Sequence, residues 1–339
     1  MRRCARGSLL ASLLLATLAV TPLSAAERQI IKLATLIPSG SVWDRTLKTM
    51  GAEWQRATDG RVRLRIYAGG VAGDDPDLIR KMRIGQLQAA TVTVTGLTEI
   101  DPAFALFEIP MFFETYAELF HVLDTLEPEL RAHLETRGFR LLHWGHAGWV
   151  HFFTARPAAT LEEFRQLKVF VWAGNDELTA LWRDRGFRPV TLAATDILTG
   201  LKTGMFEALP STPIAALSLQ WFRSAPYMLD LPITPLLGAT LITERAWERL
   251  EATDQQVIQD AALRAGEVFA TEIPQQDEHA VREMQARGLS VIPAIGTAAE
   301  AEWRTEAERF AERMREAFVP LEFYDRARKI RDEYRATTP

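Results

Sequence analysis

Two neighbouring stretches carry the pattern that decides the fold: TLEEFRQLKVFVWAGN at residues 160–175 and TDILTGLKTGMFEALPSTP at residues 195–213. Thr160 and Glu163 form a capping-box pattern, which predicts that a helix begins just before Phe164. The elements that follow are predicted in this order: a strand at 169–172, helices at 177–185 and 195–203, and a strand at 205–209. This alternation of strands and helices indicates an α/β architecture.

The chain before this region shows the same alternation. In the first predicted helix, Trp43, Leu47, Met50 and Trp54 recur at intervals of four, three and four residues, which is typical of one buried helix face. The other predicted elements are strands at 31–36, 61–67, 89–95, 139–144 and 150–154, a helix starting at Asp75-Pro76, and a pair of helices at 116–137.

The last third of the chain is predicted to be mainly helical. Residues 255–271 and 278–287 read as two helices separated by a break at Pro274, and a short strand follows at 289–292. The sequence contains no internal repeat, low-complexity tract or long linker. We therefore expect two lobes joined by strands that cross between them.

The first 26 residues have the pattern of a secretory signal peptide. Three arginines precede an apolar run at residues 9–20, and small residues follow at 24–26. No later run approaches the roughly 20 apolar residues that a membrane-spanning helix requires. We therefore predict that the signal peptide is cleaved after residue 26 and that the mature chain does not itself span a membrane.

Charge and cysteine content narrow the function and the compartment. Removing residues 1–26 takes away three of 39 basic residues and none of 44 acidic ones, so the formal charge moves from −5 to −8. No basic excess remains for binding nucleic acid. The single cysteine, Cys4, lies within the signal peptide, so the mature chain has no disulfide and no thiol nucleophile. This composition indicates a periplasmic protein of a Gram-negative bacterium.

The sequence favours a non-enzymatic function. It contains no G-x-S-x-G elbow, no H-E-x-x-H zinc helix and no glycine-rich phosphate loop, and nothing predicts a bound cofactor. The acidic pairs at 74–75 and 162–163 stand at helix starts, where negative charge favours the helix dipole. His143 and His146 flank Trp144, but strand alternation places them on opposite faces, which argues against a metal site.

Four segments in order resemble the solute-binding proteins of TRAP transporters (tripartite ATP-independent periplasmic transporters), the DctP type. They are residues 33–88, beginning LATLIPSGSVWD, residues 104–124 (FALFEIPMFFETYAELFHVLD), residues 160–213, and residues 250–269 (LEATDQQVIQDAALRAGEVF). The resemblance implies a periplasmic-binding-protein-like fold of two α/β lobes that close on one ligand. It also implies delivery of that ligand to the small and large subunits of an ion-gradient-driven membrane permease.

The resemblance implies discontinuous lobes. We expect lobe I to comprise residues 27–147 and 237–276, and lobe II to comprise residues 148–236 and 277–330. A periplasmic sensor that presents the ligand to a signalling partner would need the same closing receptor, so the sequence leaves this alternative open. A hydrolase is the remaining alternative, and no motif supports it.

The chain departs from the family pattern where the ligand is expected to bind. Family members usually carry an arginine that clamps a substrate carboxylate, and Phe170 stands in that position here. Val150 stands where a second basic residue is common, and Leu36 stands near a position that is usually asparagine. In the turn at 207–213, Ala208 is apolar, and only Ser211 and Thr212 keep hydrogen-bonding side chains.

These departures predict a neutral, aromatic or amphipathic apolar ligand rather than a simple carboxylate. The residues expected to hold it are Leu36, Trp149, Val150, Phe170 and Trp172, and those expected to orient it are Thr93, Ser211, Thr212 or His151. The sequence leaves open whether Phe170 instead fills a smaller cleft, and whether the two tryptophans belong to the core. It also leaves open whether Arg156 or Arg188 supplies a displaced cation.

Overall fold

The fold is organised around a mixed β-sheet that runs through the molecule. The computed structural model describes residues 28–173 and 176–338 of the 339-residue chain. Within these residues there are ten strands: β1 Gln29–Thr35, β2 Val62–Tyr67, β3 Ala89–Thr93, β4 Phe139–Thr154, β5 Lys168–Trp172, β6 Arg188–Leu192, β7 Ala208–Ser211, β8 Tyr227–Asp230, β9 Thr234–Thr243 and β10 Ser290–Pro293.

Helices surround this sheet. The α-helices of the described residues are α1 Val42–Ala57, α2 Asp75–Arg83, α3 Val94–Thr98, α4 Tyr116–Glu135, α5 Leu161–Arg165, α6 Asp176–Asp184, α7 Ile197–Thr203, α8 Pro213–Ser218, α9 Glu244–Trp247, α10 Ala252–Gln285, α11 Ala298–Ala317 and α12 Leu321–Thr337. Short 3-10 helices span Pro102–Glu108, Ala194–Asp196 and Trp221–Arg223.

The strand order is β2-β1-β3-β9-β4-β7-β5-β6, with β8 pairing with both β4 and β10. At one end, β1 runs parallel to β2 and β3, and at the other end, β5 runs parallel to β6 and β7. The antiparallel pairs β3–β9, β9–β4 and β4–β7 join these two parallel sets. The chain therefore has the predicted α/β class, with two parallel sets linked by long strands.

Strand β4 is the longest link between the two sets. It has 16 residues and pairs with β9 from Phe139 to Val150, then with β7 from His151 to Thr154. The sequence predicted two strands here, at 139–144 and 150–154, and this was wrong. The interruption is a register shift between His146 and Trp149, where Gly148 adopts a φ of +99°. A glycine tolerates this conformation, so the strand bends without ending.

Helix α10 spans the region where the sequence predicted a break. It runs through Pro274 for 34 residues without interruption, so the predicted break was wrong. Ile273 and Asp277, which flank the proline, are buried, and the helix packs against α1, β4 and α8. Packing along the whole helix therefore outweighs the local cost of one proline, which is about 3 kcal/mol in an exposed helix.

Buried side chains join the helices to the sheet. Helix α1 buries Trp43, Leu47, Met50 and Trp54, as their spacing predicted. The C-terminal helix α11 packs Trp303 against Phe152 of β4, with ring centroids 5.4 Å apart. The helical C-terminal part of the chain therefore covers the sheet and also reaches the interior described below.

The N-terminal predictions fall partly outside the described residues. The signal peptide predicted at residues 1–26, together with Cys4, lies outside them. From residue 28 onward, the described helices include none with the length and apolar character that crossing a membrane requires.

Candidate ligand-binding cavity

A central cavity of about 590 Å³ lies between the two parallel sets of strands. Its wall includes the end of β1, the bend of β4, and parts of β3, β5, β7 and β9, and helix α11 contributes Phe310 and Met314. Small-molecule sites are usually concave, mostly apolar and of about 300–1,000 Å³. The position and volume of this cavity therefore suit one small organic ligand.

Six of the eight predicted contact residues lie in the wall of this central cavity. They are Leu36, Thr93, Val150, Phe170, Trp172 and Ser211. They come from five separate segments of the chain, and the sheet topology brings them together. The structure thus gathers most of the predicted set around one space, although their contact with a ligand remains a prediction.

Trp149 and Thr212 lie outside the wall of the central cavity. The indole ring of Trp149 packs on Tyr116, with ring centroids 5.6 Å apart. Thr212 is fully buried, and its hydroxyl caps helix α8 by accepting the Ala215 N–H at 3.4 Å. Both side chains therefore have local structural partners, and their contact with a ligand remains a prediction.

Phe170 belongs both to the cavity wall and to the core. Its side chain is 0% exposed, and its ring meets Trp172 at 5.0 Å and Phe206 at 5.4 Å. Phe170 and Trp172 are two residues apart in β5, so their side chains lie on the same face of the strand. This explains why both reach the cavity. An aromatic ring with this packing stabilises the wall and supplies no charge.

The wall of the central cavity, as far as the structure describes it, contains no arginine or lysine. Arg156 is half-exposed and lies 3.6 Å from Glu207, and Arg188 is exposed and donates to the Gln166 carbonyl at 3.2 Å. Neither replaces the missing clamp. His151 also lies outside the wall, with its Nδ1 3.1 Å from the Leu229 carbonyl oxygen, whereas its neighbour Val150 lies in the wall.

His146 is a wall residue that sequence reasoning missed. It is 4% exposed, and neither ring nitrogen has a hydrogen-bond partner among the described residues. Burial lowers its pKa to about 4, although the backbone of Ala270 and Phe269 acts in the opposite direction. Its ring is therefore neutral near pH 7, and it packs on Tyr116 with ring centroids 5.0 Å apart. In the sequence, this histidine stands four residues before Val150, and its pairing with His143 suggested only a metal site.

The two histidines that flank Trp144 have different surroundings. His143 is buried apart from the cavity wall, with its Nδ1 2.9 Å from the Trp144 carbonyl oxygen and its ring 5.5 Å from Phe269. Among the described residues, no group of three or more histidine, cysteine or acidic side chains is arranged to hold a metal ion.

Two acids also belong to the wall of the central cavity, the buried Asp75 and the half-buried Glu108, and neither was expected from the sequence as a contact. Asp75 is 2% exposed, and its Oδ2 accepts the Thr93 N–H at 2.9 Å and the Thr93 hydroxyl at 2.6 Å. Its Oδ1 is fully buried, and the backbone N–H of Gly96 also bonds to this carboxylate. Glu108 accepts the Thr95 hydroxyl through Oε1 at 3.1 Å.

Burial changes the acidity of both groups. It raises the pKa of Asp75 to about 6, despite hydrogen bonds from Thr93, and it raises the pKa of Glu108 to about 7, despite the bond from Thr95. The negative charge of Asp74 raises the pKa of Asp75 further, and the negative charge of Asp75 raises the pKa of Glu108 further. The acid pair at 74–75 does begin helix α2, as predicted, but Asp75 also faces the interior.

Two close approaches join opposite walls at the rim of the cavity. Both carboxylate oxygens of Asp74 lie 3.3 Å from the Ala194 N–H, which donates to them. At Gly70, an added Cβ would lie 3.3 Å from Leu36 and 3.5 Å from Thr195. The loop before α2 therefore packs directly against the segment before α7, across the cavity.

The sequence matches the family described as bacterial extracellular solute-binding protein, family 7 (DctP), over residues 33–317. The chain belongs to this family. This membership confirms the resemblance to the receptors of TRAP transporters, and it confirms a solute-binding rather than an enzymatic protein.

Curated relatives are distant in sequence. A solute-binding protein of Chromohalobacter salexigens is 26% identical over 220 residues, which cover 64% of this chain and 65% of the relative. The sialic acid-binding periplasmic protein SiaP of Vibrio cholerae is 20% identical over 287 residues, which cover 81% of this chain and 87% of the relative. The chain thus spans slightly less than two thirds of the first relative and most of the second.

Solved structures share the fold. DctP7 of Bordetella pertussis, an extracytoplasmic solute receptor binding pyroglutamic acid, has a TM-score of 0.82 at 17% identity and covers 89% of this chain and 99% of its own. The sugar acid binding protein DctPAm of Advenella mimigardefordensis, in complex with galactonate, has a TM-score of 0.83 at 16% identity. The match covers 91% of this chain and 99% of DctPAm. These similarities confirm the predicted two-lobe α/β fold.

Proposed function

We propose that this chain is the periplasmic receptor of a TRAP-type secondary transporter. It captures one small organic solute in the central cavity and delivers it to an ion-gradient-driven membrane permease. The ligand has a neutral or amphipathic apolar character and is not a simple carboxylate. Family membership supports the receptor role, and the composition of the cavity wall supports the ligand class.

The observation that carries the ligand class is the absence of arginine and lysine from the described cavity wall. A ligand carboxylate here would lie within a wall that contains Phe170, Val150 and the acids Asp75 and Glu108, and no guanidinium. Leaving a buried charge without its partner costs about 3–5 kcal/mol, by analogy with broken buried ion pairs. That corresponds to roughly two to four orders of magnitude in affinity.

The related structures provide a chemical contrast. Proteins of this fold bind pyroglutamic acid, galactonate and, in Chromohalobacter salexigens, D-glucuronate. Each of these ligands is an acid. The wall of this chain includes Thr93 and Ser211 as hydroxyl side chains among apolar and aromatic ones. This set suits a largely apolar molecule with few polar atoms.

A thermal-shift screen tests the ligand class. Succinate, galactonate and D-glucuronate are expected to leave the melting temperature unchanged, whereas an apolar or amphipathic ligand raises it. Ligand at 100 times its Kd stabilises the folded state by about 2.7 kcal/mol. Binding of any of these three acids at sub-micromolar Kd would overturn the proposal.

Delivery to a permease is tested separately. Proteoliposomes that contain the two permease subunits are expected to accumulate the ligand only when this receptor and an ion gradient are both present. Uptake that is unaffected by the receptor would favour a sensing role.

The intact mass of protein secreted to the periplasm tests the predicted signal peptide. This mass is expected to correspond to a chain starting at residue 27, and retention of residues 1–26 would contradict the prediction.

A further inference from the structure

One side chain at the rim of the central cavity bridges the two parallel sets of strands. Asp74 stands in the N-cap position directly before α2, but in the described structure its carboxylate does not cap that helix. Both of its oxygens instead accept the Ala194 N–H, at 3.3 Å. Ala194 begins the short 3-10 helix between β6 and α7. The usual local role of an acid at an N-cap is therefore replaced by a contact across the cavity.

The loop that carries Asp74 is tied to the first set of strands. The Gly69 N–H donates to the Ile37 carbonyl at 2.8 Å, and the Gly70 N–H donates to the Thr35 carbonyl at 3.0 Å. Thr35 is the last residue of β1, and Ile37 follows it. The position of Asp74 is therefore fixed relative to β1.

The segment that carries Ala194 is tied to the second set of strands. Strand β6 pairs with β5 up to Leu192, whose carbonyl accepts the Ala173 N–H at 3.1 Å. The next carbonyl, that of Ala193, accepts the Asp196 N–H at 3.0 Å. A bond between two segments anchored on opposite sides exists only while the two sides lie together, so it stabilises the closed arrangement alone.

A van der Waals contact lies beside this hydrogen bond. A Cβ added at Gly70 would lie 3.5 Å from the Thr195 side chain. Water still reaches the rim, because Val71 is 75% exposed and Asp74 is half-buried. The bond between Asp74 and Ala194 is therefore expected to have the modest net strength of an ordinary hydrogen bond.

We infer that Asp74 is a closure latch: its side-chain oxygens hold the Ala194 N–H across the rim and keep a fraction of the receptor closed before a ligand binds. This inference rests on the proposed receptor function, in which two lobes close on one ligand. A ligand that binds only the closed arrangement has an apparent affinity proportional to the closed fraction, whatever its chemistry. Asp74 thus acts on binding without being part of the cavity wall.

The distance between two spin labels measures the closed fraction. Ile84 at the end of α2 and Met205 after α7 are 57% and 47% exposed, so Ile84→Cys and Met205→Cys place one label on each side of the cavity. Cys4→Ser removes the only other cysteine of the chain. Pulsed electron paramagnetic resonance of the dialysed receptor, without added ligand, is expected to show the distance of this structure as one component beside a second, open distance.

Variants of Asp74 separate the hydrogen bond from the charge. Asp74→Ala removes the acceptor and is expected to lower the ratio of closed to open chains by roughly 3- to 10-fold, as for one ordinary hydrogen bond. Asp74→Asn keeps an accepting oxygen. Burial raises the pKa of Asp74 despite the bond from Ala194, so its charge does not favour closure, and Asp74→Asn is expected to keep a ratio at least as large as the wild type.

Asp77→Ala is the matched control for these variants. This acid lies in the first turn of the same helix, with its side chain 47% exposed and outside the cavity wall. The ratio of closed to open chains is expected to stay within about twofold of the wild type, because Asp77 pairs with Arg80 of its own helix.

Removing the donor gives the reciprocal test. Ala194→Pro deletes the N–H, and the position suits proline because Ala193 before it is extended, with a ψ of 154°. Ala194→Pro is expected to lower the ratio of closed to open chains by the same factor as Asp74→Ala. The double variant is expected to lower it no further, because both changes remove one bond.

Contrary results fall into two groups. A ratio in Asp74→Ala equal to that of the wild type, an equal loss in Asp74→Asn, additive losses in the double variant, or a wild type without a closed component would each overturn the latch and leave the proposed receptor in place. If only the closed distance appears in every variant, both the latch and the closing receptor are wrong. If Ala194→Pro fails to fold, the comparison of Asp74→Ala with Asp74→Asn decides.

Discussion

At the scale of single residues, Phe170 has two roles that the sequence could not separate. The resemblance placed it at the position of the family's carboxylate clamp, and the structure shows it in the cavity wall. The same ring is 0% exposed and packs on Trp172 and Phe206. The ring is buried by α7 and by the turn before β7. The sequence pattern of β5 alone does not reveal these contacts.

Shortening Phe170 tests its contribution to the core. Phe170→Ala is expected to lower the free energy of unfolding by about 3–5 kcal/mol, because it removes a fully buried ring and leaves a cavity. Urea denaturation measures this change. Met205→Ala is the control, since Met205 is 47% exposed and its truncation is expected to cost less than about 0.5 kcal/mol. Similar losses in both variants would contradict the core role of Phe170.

Asp277 is the second residue whose role is visible only in the structure. It is 9% exposed, its Oδ2 accepts the Trp149 N–H at 3.0 Å, and its Oδ1 accepts the Ile214 N–H at 3.3 Å. Burial raises its pKa from 3.8 to about 7, and these two hydrogen bonds act in the opposite direction. The folded state therefore holds the Asp277 proton more tightly than the unfolded chain does.

This shift predicts the pH dependence of stability. The contribution of Asp277 to the free energy of unfolding is largest at low pH, and it falls as pH rises from about 4 through about 7. The difference between the wild type and Asp277→Asn is expected to fall over this range by at most about 1.4 kcal/mol per pH unit and then to level off.

Urea denaturation at a series of pH values measures this difference. Glu278→Gln serves as the control, because this carboxyl is on the same helix with its side chain 78% exposed. A difference between the wild type and Asp277→Asn that is constant from about pH 5 to pH 8 would contradict the assignment.

At the scale of elements, the bend in β4 and helix α10 form one unit. Gly148 lies in the bend with a φ of +99°, and the Asp277 carboxylate of α10 lies directly against it. An added Cβ at Gly148 would stand 2.0 Å from Asp277 Oδ2. Both the backbone conformation and the space therefore require glycine here.

Gly148→Ala is expected to destabilise the chain more than an equivalent change elsewhere. A non-glycine residue in this backbone region costs about 1–3 kcal/mol, and displacement of Asp277 adds to this cost. Gly138→Ala is the matched control, because Gly138 has a φ of +82° but nothing within 4 Å of an added Cβ. Thermal unfolding compares the two variants, and equal changes in their melting temperatures would contradict the contact between β4 and α10.

Most elements could be predicted from local pattern, and the errors have a common cause. The face of α1 follows from its spacing, and the start of α5 at Leu161 follows from the capping box at Thr160 and Glu163. By contrast, Pro274 predicted a break, and Gly148 fell in a gap between two predicted strands. Both positions are held in a continuous element by packing between distant segments, which a local pattern does not contain.

At the scale of the whole molecule, we propose the two lobes as residues 27–147 with 237–276, and 148–236 with 277–330. The contacts of Asp277 with Trp149 and Ile214 lie beside the proposed boundary in both β4 and α10. Ligand contacts made to both lobes stabilise the closed arrangement alone, which is how such receptors couple binding to closure.

The candidate site was predictable only in part. Leu36, Thr93, Val150, Phe170, Trp172 and Ser211 could be placed because the resemblance supplied their alignment. His146, Asp75 and Glu108 could not, because their places in the wall depend on how distant segments of the chain pack together. Asp75 in particular has the sequence context of an ordinary helix start, and only tertiary structure shows that its carboxylate accepts hydrogen bonds from Thr93 of β3.

Native mass spectrometry of the receptor purified from its own periplasm tests the central claim most directly. The account predicts a bound small molecule that contains no carboxylate, released on denaturation and identified by its mass and fragmentation. A sugar acid or dicarboxylate bound at one per chain would contradict the proposed ligand class.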